Sequence, residues 1–204
     1  MRCQLVTLYE TELAPPGAPD ILNPIARSDG KPLYYLLTQV ADGTKVSQSL
    51  NIREAFPDEA RLLSDLALLS KAHWGYSQDF LDSCRSELTV DPAQIGSDSY
   101  QYFAAVERDT IIGFYALQRL SDDDYELEAL FVEPRHIGTG IGRALIKHAT
   151  RILSQRGAAR LIIQGDPNAT QFYVAAGGRQ IGARESASVP GRHLPLFEIE
   201  ISSV

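Results

Sequence analysis

The fold is decided by the stretch LFVEPRHIGTGIGRAL, which runs from residue 130 to residue 145. It begins with the apolar, β-compatible residues Leu130–Val132 and ends in a run with helical spacing that continues to Arg156. Between them, Gly138, Gly140 and Gly142 form a glycine-rich turn. Glycines let the backbone approach a ligand closely, and the start of a helix adds partial positive charge. This junction of strand, turn and helix predicts an anion-binding site.

The glycine spacing does not fit the two familiar nucleotide-binding loops. In a nucleotide P-loop the last glycine is followed by Lys and then Ser or Thr, whereas Gly142 is followed by Arg143 and Ala144. The dinucleotide fingerprint G-x-G-x-x-G requires a third glycine three residues after the second, and Leu145 occupies that place after Gly142. A nucleotide-binding α/β protein is therefore the less favoured alternative.

The segments around this stretch predict a mixed α/β domain. Three strand-like runs, Tyr100–Glu107, Ile111–Gln118 and Tyr125–Glu133, are joined by short polar turns and predict an antiparallel meander. The other predicted elements are a strand at Asn51–Glu54, two helices between it and the meander, a strand at Leu161–Gln164, a helix at Pro167–Ala176 and a last strand at Leu196–Ile201.

Leucine spacing and a capping residue predict the two early helices. The first opens at Pro57 and the second is capped by Ser77. On the first, we expect one apolar face made of Leu62, Leu63, Leu66 and Leu69. On the second, Cys84 lies on the apolar side, which is typical of a buried, unreactive thiol.

The first fifty residues differ from the rest, because prolines and glycines interrupt them before any long periodic run begins. Two β-compatible runs, Leu33–Val40 and Lys45–Leu50, flank Asp42 and Gly43 and predict a hairpin. We therefore predict an N-terminal extension over residues 1–50 and a second unit over residues 51–204.

Composition limits the partners. A net charge of -7 and a pI near 5.1 argue against non-specific nucleic-acid binding, and no uncharged apolar window is long enough for a membrane span. Cys3 and Cys84 lie far apart in the sequence, which favours a reducing compartment, the cytosol. The four histidines show no metal-ligand spacing, so we expect no metal.

Two blocks of sequence resemble the GNAT (Gcn5-related N-acetyltransferase) superfamily. The first matches V-x-P-x-x-x-G-x-G-I-G-x-x-L from Val132 to Leu145, and the second, DPNATQFY at residues 166–173, is similar to the family's D-P-N-A-x-x-F-Y segment. The resemblance covers roughly Asn51 to Val204. It implies an α/β GNAT fold, with a mixed, mostly antiparallel sheet flanked by helices.

The resemblance also implies a site for acetyl-CoA, the acyl donor. The backbone amides of Ile137, Gly138, Thr139, Gly140, Ile141 and Gly142 would hold the pyrophosphate. Leu130, Phe131 and Val132 would hydrogen-bond the pantetheine arm through the strand, and Asn168 would contact the same arm. Ile137 stands where the family usually has Arg or Gln, and Arg143 is the residue that could supply the missing charge.

Two residues are candidates for proton transfer. Tyr173 matches the family tyrosine beside the thioester sulfur, and a phenol stays protonated at neutral pH, so it can donate to the departing thiolate. Glu128, on the strand before the loop, is the candidate base and would act through water. The resemblance therefore implies an N-acetyltransferase in which the amine attacks directly in a ternary complex. The alternative is a non-catalytic acyl-CoA-binding regulatory module.

The acceptor is not identified by these residues. Trp74 and Tyr76 follow the first helix, in the region where family members shape the acceptor pocket, and Arg192 could bind an acceptor carboxylate. We expect a small-molecule or peptide amine as the partner, neither nucleic acid nor membrane, and leave a homodimer open.

Overall fold

The computed structural model describes residues 50–202. Its strands form one seven-stranded sheet in the order β1-β2-β3-β4-β5-β7-β6. Within the described part, β4 and β5 are the parallel pair, and every other pair of neighbours is antiparallel. The strands are β1 (Asn51–Glu54), β2 (Tyr100–Glu107), β3 (Thr110–Arg119), β4 (Asp124–Val132), β5 (Arg160–Gln164), β6 (Arg179–Glu185) and β7 (His193–Glu200).

Within residues 50–202, four helices lie against this sheet: α1 (Ala60–Ala72), α2 (Gln78–Leu88), α3 (Ile141–Gln155) and α4 (Thr170–Ala175). Short 3₁₀ turns at Pro57–Glu59, Pro134–His136 and Pro167–Ala169 each begin with a proline. Proline suits this position because its missing N–H would have no partner there and its φ is already helical.

The two faces of the sheet carry separate cores, because successive residues of a strand point to opposite sides. On one face, Tyr115 and Leu130 pack with buried residues of α3 and α4, such as Leu145 and Phe172. On the other face, Phe114 packs with buried residues of α1 and α2. The mixed, mostly antiparallel α/β architecture predicted from the sequence is confirmed.

The predicted meander and the Ser77 cap are also confirmed. Strands β2, β3 and β4 pair in sequence order, and the Ser77 side chain accepts a hydrogen bond from the Phe80 N–H. Helix α3 begins at Ile141, three residues after Gly138, where we predict the helical run to start. The delay has a backbone cause, since Gly138 and Gly140 have φ of 81° and 95°, outside the right-handed helical region.

The predicted apolar face of α1 is wrong at two positions. Leu63 and Leu66 are buried, but Leu62 and Leu69 are each 52% exposed. At 100° per residue, Leu62 and Leu69 lie on the flank of α1, and the stripe that faces the sheet is instead completed by Ala67. The structure also adds β6, a strand whose residues are almost all exposed and which the sequence analysis did not identify. The predicted hairpin, except Leu50, lies outside the described residues.

Candidate functional site

The parallel strands β4 and β5 separate where the site begins. They pair only from Asp124 to Glu126, opposite Arg160–Ile162. Beyond that point β5 stays paired with β7 as far as Gln164, whereas Leu127–Val132 has no register with β5. The edge of β4 that faces β5 therefore presents main-chain N–H and C=O groups that the sheet does not use.

A β-bulge lies in β4 at Glu128. Ala116 of β3 pairs with Ala129 and Leu117 pairs with Leu127, so Glu128 is the extra residue. The bulge changes which side the following residues face, and Leu127 and Leu130 consequently share one core although they differ in parity. The Glu128 side chain is 4% exposed and lines a cavity on the side of the sheet that α2 covers.

The loop over residues 137–142, called the glycine loop below, is an open helix start. Gly140 is the N-cap of α3, and its left-handed backbone carries no side chain that could cap the helix. The N–H groups of Ile137 and Thr139 donate to Pro134 O and His136 O, which leaves Gly138, Gly140 and the first turn of α3 as the donors. The first N–H groups of any helix lack an intrahelical acceptor, so this set suits an anion.

Basic residues flank the glycine loop on both sides. The Glu133 carboxylate accepts from the backbone N–H and the Nε of Arg135, and it lies 2.7 Å from His136 Nδ1. Arg143 is exposed in the first turn of α3. The side chains of Leu130, Phe131 and Val132 are buried, so only their main chain is available to a ligand.

A second group of residues assembles around Asp166, which is fully buried. Its Oδ2 accepts hydrogen bonds from Tyr76 OH at 2.8 Å and from Arg192 Nη2 at 3.2 Å, and it lies 3.9 Å from Lys71 Nζ. Asn168 contributes twice, because its backbone N–H donates to Asp166 Oδ1 and its Nδ2 donates to Tyr76 OH. We call Lys71, Tyr76, Asp166, Asn168 and Arg192 the Asp166 cluster.

Aromatic rings complete the surroundings of the Asp166 cluster. Tyr76 and Phe80 are stacked with 4.4 Å between ring centroids. The Lys71 ammonium lies 5.4 Å and 5.5 Å from the two ring centroids, and the Arg192 guanidinium lies 5.5 Å and 4.8 Å from them. Burial, followed by the nearby Asp166 carboxylate, raises the pKa of the Tyr76 phenol well above its usual range, so the phenol remains a hydrogen-bond donor.

Tyr173 lies on α4 and is fully buried. Its ring centroid is 5.5 Å from that of Phe197 and 5.1 Å from that of Phe172. A Cβ added to Gly165 would lie 2.8 Å from the Tyr173 ring. Gly165 therefore lets this ring pack directly against the backbone that follows β5, and the orientation of Tyr173 is narrowly defined.

The cavity beside Glu128 has a volume of about 360 Å³. Strand β4 supplies Glu128, α2 supplies two residues, and the β6–β7 connection closes one side. Its polar lining consists of Ser86, Glu87, Gln94, Tyr100, Glu128 and Ser188.

The structure brings some of the predicted site residues together and separates others. Tyr76, Arg192 and Asn168 meet in the Asp166 cluster, whereas Trp74 packs partly buried against the core under α1 and α2. Lys71 and Asp166 were not predicted as site residues. A lysine that continues the buried stripe of α1 was the available signal for Lys71.

Within residues 50–202, His, Cys, Asp and Glu side chains form no group of three or more that could hold a metal ion. No helix in this range has the length and apolar character needed to cross a bilayer.

Comparison with known proteins identifies relatives of this chain. The family model described as the acetyltransferase (GNAT) family matches residues 67–177, and no curated protein matches the sequence. A GCN5-related N-acetyltransferase from Rhodopseudomonas palustris shares 19% identity over 78% of this chain and 99% of its own, with a TM-score of 0.62. The ribosomal-protein-S18-alanine N-acetyltransferase from Escherichia coli shares 19% identity over 76% of this chain and 96% of its own, with a TM-score of 0.58.

A third solved structure carries a ligand. The PaiA N-acetyltransferase from Thermoplasma acidophilum, in complex with coenzyme A, shares 19% identity over 74% of this chain and 99% of its own, with a TM-score of 0.56. At these identities the three structures establish a shared fold and leave activity and substrate to other arguments.

Proposed function

The chain belongs to the GNAT acetyltransferase family, and we propose that it moves an acetyl group from acetyl-CoA to an amine by direct attack in a ternary complex. The observation that carries this proposal is the open edge of β4, which leads into an uncapped helix start. We propose that residues 51–204 form the acyltransferase domain, with residues 1–50 as an extension. The sparse, widely spaced cysteines favour the cytosol as its compartment.

The acetyl-CoA site follows from these two features. An extended pantetheine arm can add to the open edge of β4 through the main chain of Leu130–Val132, as a strand would. The pyrophosphate then reaches the N–H groups of the glycine loop and the positive end of the α3 dipole. The coenzyme A bound to PaiA, a protein of the same fold, supports this choice of donor.

The reaction needs two proton transfers, and the site offers one residue for each. An alkyl ammonium is protonated at neutral pH, so Glu128 takes its proton through water before attack. The free amine then forms a C–N bond to the thioester carbon, the C–S bond breaks, and Tyr173 donates its proton to the departing thiolate. A strand N–H near Val132 stabilises the negative oxygen of the tetrahedral intermediate.

The Asp166 cluster supports this chemistry from outside the reacting atoms. Asp166 holds the backbone of Asn168, the residue expected at the pantetheine arm, just before α4 and Tyr173. Tyr76 and Arg192 bind the same carboxylate and so tie the α1–α2 and β6–β7 connections to that turn. Binding of the acceptor by Trp74, Tyr76 or Arg192 remains a prediction.

A coenzyme A release assay tests the proposed function. Full-length protein is mixed with acetyl-CoA and a panel of amines, and free thiol is measured over time. We expect Tyr173→Phe to lower kcat about 100-fold or more while the Kd for coenzyme A changes little. Tyr125→Phe, which removes a buried phenol outside the site, is the matched control and should keep full turnover.

Two outcomes would reject parts of this proposal. Coenzyme A binding without thiol release for any amine would favour the alternative, a non-catalytic acyl-CoA-binding regulatory module. Release that is unaffected by Tyr173→Phe would remove this phenol from the proton transfer and leave the family activity in place.

A further inference from the structure

The cavity beside Glu128 has an unusual balance of polar groups. Two carboxylates, Glu87 and Glu128, line it together with hydroxyl groups and the Gln94 amide, and the described lining contains no Lys or Arg. All of these groups can accept a hydrogen bond from an N–H donor. The volume of about 360 Å³ is within the range of small-molecule sites.

Glu87 provides the observation that points to a ligand. Both of its carboxylate oxygens are buried and have no hydrogen-bond partner among the described residues. Carboxylate oxygens without a donor form strong, charge-assisted hydrogen bonds with an ammonium or guanidinium group. A cationic group in the cavity would restore the missing hydrogen bonds and balance the charge.

The position of Glu87 differs from that of Glu128. Glu87 is on α2, whereas Glu128 is the bulge residue of β4 itself. Glu128 is the side chain proposed above to take the proton of the reacting amine. Glu87 is therefore free to hold a second positive group of the same acceptor.

We propose that the acceptor is a dicationic amine, with the reacting ammonium at Glu128 and a second ammonium or guanidinium at Glu87. This inference rests on the proposed function and names its substrate class. Acetylation turns the reacting nitrogen into an uncharged amide and releases its proton, so the product keeps only the cation at Glu87. Loss of one charge pair weakens product binding and favours release.

Matched substrates test this inference. Coenzyme A release is measured with linear diamines of three to eight carbons and with amino alcohols of equal length, such as 1,5-diaminopentane against 5-amino-1-pentanol. We expect the best diamine to exceed its amino alcohol in kcat/KM by about 10- to 100-fold, the range of one charge-assisted hydrogen bond. Glu87→Gln should reduce that ratio to within about threefold, because it removes the charge and keeps the shape.

Controls separate this effect from a change in folding. Glu54→Gln makes the same chemical change at an exposed position of β1 and should leave the ratio unaltered. The Tm of Glu87→Gln should equal or exceed that of the unsubstituted protein, because the substitution removes an uncompensated buried charge.

Each remaining outcome decides one proposal. Acetylation of amino alcohols as efficient as that of diamines, or a ratio unchanged by Glu87→Gln, would overturn the dicationic acceptor and leave the acetyltransferase standing. Absence of thiol release with every amine would overturn the acetyltransferase. In that case calorimetry with 1,5-diaminopentane decides the cavity: binding that Glu87→Gln abolishes supports a dication site, and no binding overturns it.

Discussion

The glycine loop and the Asp166 cluster are built in opposite ways. The loop consists of consecutive residues that offer main-chain groups to a ligand. The cluster joins side chains from three separate segments of the chain around the fully buried Asp166, and its members bind each other. A change in the loop should therefore alter ligand binding first, whereas a change in the cluster should alter stability first.

The largest effect is expected at the centre of the cluster. Asp166→Asn removes the carboxylate that faces both Lys71 and Arg192, so two cations lose their buried partner. We expect the free energy of unfolding to fall by about 3 to 5 kcal/mol, the range for breaking a buried ion pair. Urea denaturation measures this change.

Asp65→Asn is the control for this prediction. Asp65 is half-exposed on α1, at 3.9 Å from Arg61, and its substitution should change stability by no more than about 0.5 kcal/mol. Equal stability of the two variants would show that the cluster contributes no more than a surface pair.

The second prediction concerns Gly165, where the cluster adjoins Tyr173. Gly165→Ala places a Cβ 2.8 Å from the Tyr173 ring and 3.3 Å from the Phe197 ring. The rings must move to make room for this Cβ, which should lower the free energy of unfolding by about 1 to 3 kcal/mol. The displaced Tyr173 phenol should lower kcat more than it raises KM for acetyl-CoA. Urea denaturation and steady-state kinetics measure the two effects.

A double-mutant cycle sharpens this prediction. If the clash with Tyr173 destabilises the Gly165→Ala variant, the double variant Gly165→Ala, Tyr173→Leu should lose less free energy of unfolding than the sum of the losses of the two single variants. Additive losses would indicate that Gly165 matters for another reason.

The same contrast explains how far the sequence could predict the structure. The glycine loop, the meander and the Ser77 cap depend on residues close together in the chain, and each follows from local spacing. The position of the glycine loop could therefore be predicted from the sequence. The spacing did not predict that the N–H groups of Ile137 and Thr139 donate to carbonyl groups within the turn.

The other half depends on contacts that no local pattern contains. Lys71 continues the apolar spacing of α1, but lysine is rarely fully buried, and its partner Asp166 is distant in the sequence, so the spacing alone does not predict its burial. The bulge at Glu128 adds one residue to β4 that has no partner in β3, so simple alternation assigns the wrong side to the residues after it. Leu62 and Leu69 fit a helical spacing but lie on the flank of the buried stripe.

The third prediction tests whether the glycine loop acts through its backbone. Gly140 has a φ of 95° and open space around the place of a Cβ, so Gly140→Ala introduces backbone strain without a clash. Relaxation of the loop should misdirect its N–H groups and weaken coenzyme A binding about tenfold, a loss of about 1.4 kcal/mol. Isothermal titration calorimetry measures the Kd.

Gly157→Ala is the matched control, because Gly157 has a φ of 72° and equally open surroundings beyond the other end of α3. Both variants should lose similar stability, and only Gly140→Ala should lose affinity for coenzyme A. Equal Kd values of the two variants for coenzyme A would show that the backbone of the glycine loop does not bind the donor.

The smallest effect is expected at His148, which belongs to neither region and sets a baseline for both. Burial, followed by the Arg151 cation, lowers the pKa of His148 below its ordinary value of 6.5, and His148 Nδ1 lies 2.7 Å from Tyr115 OH. As the pH falls, the unfolded chain therefore binds a proton at His148 before the folded chain does. The contribution of His148 to the free energy of unfolding is fully present above pH 6.5 and decreases as the pH falls toward the lowered pKa. The slope is at most about 1.4 kcal/mol per pH unit.

Urea midpoints at a series of pH values measure this slope, and His148→Asn, which keeps a hydrogen-bonding atom near the position of Nδ1, should flatten it. His193→Asn, at an exposed histidine, should not. If His148→Asn leaves the slope unchanged, the acid loss of stability arises elsewhere.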